Sequence, residues 1–282
     1  MQVYRELRVL TARPSPQEEA SVPHRLYGVR PAAQAANTAW WRAEALAAIA
    51  EARNAGKLPI LCGGTGLYFL ALARGLVEVP PVPGWARDDA RTQLAASGSE
   101  ASHARLAELD PATAARLRPS DGQRVARALE VVLGTGQGLA AWRAGGIAEG
   151  EACRLSAVLL RPPREELRTV VAERFDRMLS HGGIEEARAL LGQGLDPALP
   201  AMRAHGVPEL VAHLAGRMTL SDARERAIAN TRRYVKRQDT WFRHQPLASK
   251  ERACYYNARF SDVEQFTESL AQEILAVLRL PR

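Results

Sequence analysis

Three features of these 282 residues predict an α/β fold with a helical insertion. Residues 38–74 read as helix, strand, glycine turn and helix; a segment is fenced by Pro80, Pro81 and Pro83 at its entry and Pro119 at its exit; and a long helical run follows Arg164. The expected partition is an α/β core at 1–78 and 119–163 and a helical insertion at 79–118. A mainly helical C-terminal region at 164–282 would pack on the core.

Each element has a local reason. Trp41, Ala45, Leu46, Ile49 and Ala52 recur at helical spacing from Thr38 to Ala55, and Gly56 supplies a left-handed stop. Leu58 to Cys62 is a short unbroken apolar run, the pattern of a strand covered on both faces. It empties into Gly63-Gly64-Thr65-Gly66, and a helix is expected from Leu67 to about Arg74. Inside the fenced segment, Arg87 to Ala96 and Ser102 to Leu109 read as helices, and Asp110-Pro111 is a cap followed by proline at the first helical position. A second strand is expected at Leu155 to Leu160, an edge strand at Cys254 to Asn257, and an amphipathic helix through about Leu278.

Composition narrows the class. At 46% apolar and 24% charged residues, the chain can bury a sizeable core. Net charge is +7 and the sequence pI about 9.8, which suits a phosphate-bearing partner. No run of about 18 apolar residues is present to span a bilayer, so no membrane partner and a cytoplasmic location are expected. Cys62, Cys153 and Cys254 lie far apart without CxxC spacing, which disfavours a disulfide framework or a zinc site. A monomer is expected.

The charge is concentrated between Arg224 and His244. Arg224, Arg226, Arg232, Arg233, Lys236, Arg237 and Arg243 face only Glu225 and Asp239, while Ala227, Ile228, Tyr234, Val235, Gln238, Trp241 and Phe242 form an inward stripe. A solvated helix face normally mixes signs as i,i+4 pairs. Here almost nothing on the helix neutralises the arginines, so a polyphosphate, most commonly nucleic acid, is the better partner.

Two further sites carry candidate chemistry. The Gly-Gly-Thr-Gly turn lets backbone approach a ligand, with free amides at a helix start and the Thr65 hydroxyl beside them; such turns also serve simply to pack a helix on a sheet. In Ser120-Asp121-Gly122-Gln123-Arg124-Val125-Ala126-Arg127, Ser120 or Asp121 caps a helix whose first turn offers Gln123, Arg124 and Arg127 to an extruded nucleotide. The competing reading is a surface salt-bridge patch in which Glu130 or Glu108 satisfies Arg127. The six histidines show no metal-ligand spacing, and Glu185-Glu186 reads as a solvated pair.

Taken in order, MQVYRELRVLTARPSP, VPHRLYGV, LPILCGGTGLYF, LRPSDGQRVARALEV, MRAHGVPEL and TRRYVKRQDTWFRHQ resemble the bacterial tRNA dimethylallyltransferase (IPP transferase) family over nearly the whole chain. The resemblance implies transfer of a dimethylallyl group from dimethylallyl diphosphate to the exocyclic N6 of the adenosine 3′ to the anticodon, with Mg²⁺ on the diphosphate. It implies a P-loop-kinase-like parallel sheet core with a helical insertion gripping the anticodon stem-loop. By the same resemblance Thr65 is catalytic, in the channel where the two substrates meet. Met1, Gln2, Arg87, Gln123, Arg124, Val125, Ala126 and Arg127 are tRNA-binding, and Arg203, Arg232, Arg233, Lys236 and Arg237 are candidate contacts to the tRNA backbone.

The sequence also departs from the family pattern. It begins within the family's Asp-Ser-Met-Gln motif, so the aspartate expected as general base is absent, and no GxxxxGK[ST] loop occurs in the 282 residues. The expectation is therefore a fold lacking its first strand and P-loop, with Met1 an internal methionine of a protein longer by roughly 30 residues, no metal ligand in this chain, and no transfer activity as given. Val170 replaces a frequent arginine, and His205 a usually apolar residue before Gly206. Two other readings remain open: a non-catalytic tRNA-binding remnant, and a small-molecule nucleotide kinase-like protein.

Overall fold

The computed structural model describes residues 1–77, 79–146, 153–260 and 267–278. It divides into two compact units, Met1–Ala73 with Cys153–Arg282, and Arg74–Ala152.

In the first unit, the opening residues form turns whose Val3, Tyr4, Leu7 and Leu10 lie in the main core beside Phe175, Leu190, Met202, Val207, Leu210 and Ile228. Three helices follow: α1 (Pro16–Ser21), α2 (Thr38–Asn54) and α3 (Gly66–Arg74). Helix α2 starts on Asn37, whose side chain accepts from the Trp40 amide, and stops at Gly56, which has φ +66° and donates to the Arg53 carbonyl. Helix α2 buries Ala45 and Ile49 against Leu72 of α3.

The second unit is helical: α4 (Gly84–Leu109), α5 (Pro111–Ala114), α6 (Gly122–Thr135) and α7 (Leu139–Ala144). The two helices expected at 87–96 and 102–109 form one span interrupted at Gly98, where φ is +77°. Asp110 caps α5 by accepting from the Thr113 amide at 3.1 Å, and Asp121 caps α6 by accepting from the Arg124 amide at 3.3 Å. Ala90 and Leu106 of α4 pack on Val125, Ala128, Leu129 and Val132 of α6 to make this unit's core.

The chain then returns to the first unit through β1 (Ala157–Leu160), α8 (Arg164–Met178), a wide helical turn at Leu179–Gly183 and α9 (Ile184–Leu191). Next come α10 (Val207–Leu214), α11 (Leu220–His244), β2 (Ala253–Tyr256) and α12 (Glu268–Leu278). The expected strands at 155–160 and 254–257 form a two-stranded parallel sheet in register Ala157 to Ala253 through Leu160 to Tyr256. Helix α12 is tied to it by Ser156 Oγ donating to the Val277 carbonyl and Tyr256 donating to Glu273.

Three expectations need correction. Leu58 to Cys62 is not a strand: Leu58 and Ile60 are 54% and 73% exposed, and no ladder partner lies beside them among the described residues. Apolar runs become strands only when another strand satisfies their backbone. The 119–146 segment, assigned above to the α/β core, belongs to the helical unit, because the apolar face of α6 is matched by α4. Glu186 is not solvated: its carboxylate accepts from the backbone amides of Arg8, Val9 and Leu10 at 2.7, 2.8 and 2.9 Å, fixing the opening turn.

Candidate functional site

In the first unit the glycine turn is fitted directly onto α11. Gln238 Nε2 donates to the Gly64 carbonyl at 2.9 Å, and a Cβ added at Gly64 would come within 2.0 Å of that amide. A Cβ at Gly66 would meet the Trp241 ring at 2.1 Å, so close packing requires glycine there, whereas at Gly64 the flexible end of Gln238 could move aside at the loss of its hydrogen bond. Trp241 contacts Phe242 edge-on, Phe242 lies 6.4 Å from Phe69, and Tyr68 stacks on Trp41 at 4.4 Å. These contacts leave Thr65 exposed immediately before α3. The Tyr68 amide donates to the Thr65 carbonyl, so the amides of Gly66 and Leu67 precede the first intrahelical acceptor and suit an anion.

Helix α11 holds its position with a capping box, Thr219 with Asp222, and by burying Ala223, Ala227 and Ile228. Its cations fall into two groups. Arg224 forks onto Asp176 at 2.5 and 2.7 Å, and Arg243 pairs with Asp239, which also receives Arg161. The sequence reading weighed only acids on the helix itself; Arg224 is neutralised from outside it, by Asp176. Arg232, Arg233, Lys236 and Arg237 are exposed; Arg232 donates to the Arg168 carbonyl and Arg237 lies over the Tyr234 ring at 5.7 Å.

Arg233 and Arg237 share a cavity of about 240 Å³ with Arg203, His205, Glu209 and Asn230. Gly206, with φ +92°, makes the reversal that presents His205 there. The His205 ring sits 4.8 Å from Tyr234, and burial pushes its pKa down, with nearby Glu209 opposing that shift. Sequence reasoning missed Glu209 and Asn230. The available signal was a lone acid in the mostly apolar VPELVAHL helix.

At the start of the chain Met1 is exposed, whereas Gln2 spends its amide donors on the carbonyls of Thr11 and Ala12. In the second unit Gln123, Arg124 and Arg127 are exposed on the first turns of α6, and Ala126 is half-buried. Val125 is fully buried and offers no side-chain surface to a ligand. Arg87 and Arg127 converge on Glu130, and Arg124 pairs with Asp121 at 3.4 Å, so the salt-bridge reading holds for these side chains as they stand. Among the described residues no three His, Cys, Asp or Glu side chains gather to hold a metal ion. No helix among the described residues is long and apolar enough to cross a membrane.

Residues 2–245 match the IPP transferase family. The chain is 51% identical over 280 residues to the tRNA dimethylallyltransferase of Acidiphilium cryptum, covering 99% of this chain and 85% of that protein. It is 50% identical to the enzyme of that name from Granulibacter bethesdensis, covering 99% and 88%. The crystal structure of the full-length tRNA isopentenylpyrophosphate transferase from Bacillus halodurans superposes with a TM-score of 0.66 at 29% identity, covering 98% of this chain and 85% of that one. A eukaryotic dimethylallyltransferase acting on tRNA has the same fold, with a TM-score of 0.76 at 24% identity over 98% of this chain and 69% of that one. Fold and matches together define a prenyltransferase of α/β construction. The chain belongs to the IPP transferase family. The expectation of inactivity draws no support from these matches.

Proposed function

We propose that this protein binds the anticodon stem-loop of tRNA and serves transfer of a dimethylallyl group from dimethylallyl diphosphate to N6 of the adenosine 3′ to the anticodon. The observation that carries the reading is the direct seating of the Thr65 turn on the cationic helix α11 through Gln238 and Trp241. It joins an anion-accepting helix start to a surface suited to a polyanion.

The chemistry assigns roles. An adenine amino group is a weak nucleophile, so it must lose a proton as the C–N bond forms and the allylic C–O bond breaks, with diphosphate leaving. Thr65, exposed beside the free amides of α3, is positioned to hold either the donor's leaving oxygen or the incoming amino group. The target base must also leave its stack, at a cost of a few kcal/mol that a loop nucleotide keeps low. Arg203, Arg232, Arg233, Lys236 and Arg237 would hold the RNA backbone. In the helical unit Arg87, Gln123, Arg124 and Arg127 take the same part once Asp121 and Glu130 release the arginines. Met1, Gln2, Ala126 and the backbone of Val125 complete the proposed tRNA contacts.

The test is binding and transfer measured on one sample with labelled dimethylallyl diphosphate and unmodified tRNA. Anticodon stem-loop binding over a control hairpin, with label on the adenosine, is the expected result. Thr65→Ala should cut transfer at least tenfold while leaving RNA affinity within about twofold. No preference for the anticodon stem-loop would sink the reading. Binding without transfer would assign the chain a tRNA-binding role alone.

A further inference from the structure

The segment that delivers Thr65 has little to hold it. From Leu58 to Gly64 the chain is irregular, and among the described residues it makes one hydrogen bond, the Gly64 carbonyl accepting from Gln238 Nε2 at 2.9 Å. Leu61 packs against the small core around Ile49 and Leu72, while Leu58, Ile60 and Cys62 are exposed. Gly63 and Gly64 bring no side chains to restrict their own dihedrals. The Gln238 bond therefore falls where the backbone is otherwise least restrained.

The choice of acceptor matters. A peptide unit is planar, so the Gly64 carbonyl and the Thr65 N–H point in opposite directions from one plate. Holding the oxygen sets the plate, and with it the direction from which the Thr65 side chain departs. On the other flank of Thr65, Gly66 lies directly against the Trp241 ring. Gln238 and Trp241 are three residues apart on one face of α11, so a single helix grips the turn on both sides of an exposed Thr65.

Resting on the transfer reading above, we propose that Gln238 is a positioning residue: by holding the Gly64 carbonyl it sets where the Thr65 hydroxyl meets the reacting groups. It touches no substrate and acts through Thr65. A displacement of about 1 Å at a reacting centre can slow a reaction on the order of a hundredfold, so loss of this one bond is enough to be seen in the rate.

The test is a double-mutant cycle on the full chain. Gln238→Met keeps an unbranched, helix-compatible side chain and removes the donor. It should lower kcat about tenfold with RNA affinity within about twofold. Added to Thr65→Ala, it should lower kcat by less than about twofold more, since no hydroxyl is left to misplace. Losses that multiply overturn the proposal. So does an unchanged kcat in Gln238→Met, or a loss of RNA affinity that parallels the loss of transfer. A second readout needs no turnover: the backbone NMR order parameters of Thr65 and Gly66 should fall from about 0.85 to below about 0.6 in Gln238→Met, with those of α11 unchanged. Values that do not move, or a turn already loose in the unaltered protein, overturn the proposal. Should Gln238→Met fail to fold, Gln238→Glu, of the same size but with an acceptor facing the carbonyl, takes its place under the same expectations. If the unaltered protein transfers no dimethylallyl group, the transfer reading fails, and the order parameters alone then judge whether Gln238 holds the turn.

Discussion

Helices α6 and α11 both carry arginine clusters, but they handle the charge in opposite ways. On α6 the acids are at hand: Asp121 takes Arg124, and Glu130 takes Arg127 together with Arg87 from α4. On the middle of α11, Arg233 and Arg237 line a cavity with Glu209, whose carboxylate is bonded to Asn230 and forms no ion pair with them. Exposed ion pairs contribute about 1 kcal/mol or less, so the α6 arginines can be released at small cost, but they must exchange a partner to meet phosphate. Arg224 and Arg243 of α11 are paired, but among the described residues Arg233 and Arg237 have no ion-paired carboxylate to give up. Under the proposed function, a surface of the first kind would tune affinity for RNA and one of the second kind would supply it.

The strongest test of this contrast removes the backbone reversal that presents His205. Gly206→Ala would place a Cβ 2.8 Å from Phe175 in a left-handed conformation. The expected loss is roughly 2–4 kcal/mol, read as a lower denaturant midpoint. An unchanged midpoint would mean that the reversal is not rigidly held. Next in size, Arg233→Ala with Arg237→Ala should flatten the slope of log affinity for RNA against log salt by about 1.5. Arg124→Ala with Arg127→Ala should change it by less than about 1, because Asp121 and Glu130 already neutralise those charges. Equal slopes would erase the distinction between the two helices. The smallest expected effect is Glu130→Gln, which frees Arg87 and Arg127 and should tighten stem-loop binding about two- to fivefold, with under about 1 kcal/mol change in stability. Weaker binding would show that Glu130 orients those arginines instead of restraining them.

Local chemistry in the sequence was a good guide to local structure. Gly56 ends α2, Asp110 and Asp121 cap their helices, and Pro111 opens α5 as read. Both strands were legible one by one, but their parallel pairing with each other was not. Features decided by distant partners were not. Residues 58–62 have strand composition but lack a ladder, and α6 joined the helical unit because its apolar stripe fits α4. Arg224 is neutralised by Asp176, 48 residues away. The Gln238 position was visible as part of the inward stripe, but not its bond to Gly64, which spans 174 residues. Glu209 is not distinguished in the sequence, because an acid in a short helix looks ordinary until its surroundings are known.

That Gln238 bond has a mechanical meaning. Helix α11 and the glycine turn are fastened side chain to carbonyl and ring to glycine, with no slack between them. Under the proposed function, a polymer pulling on the arginines would load the same part that presents Thr65, so engagement of the large substrate would be felt where the small one is held.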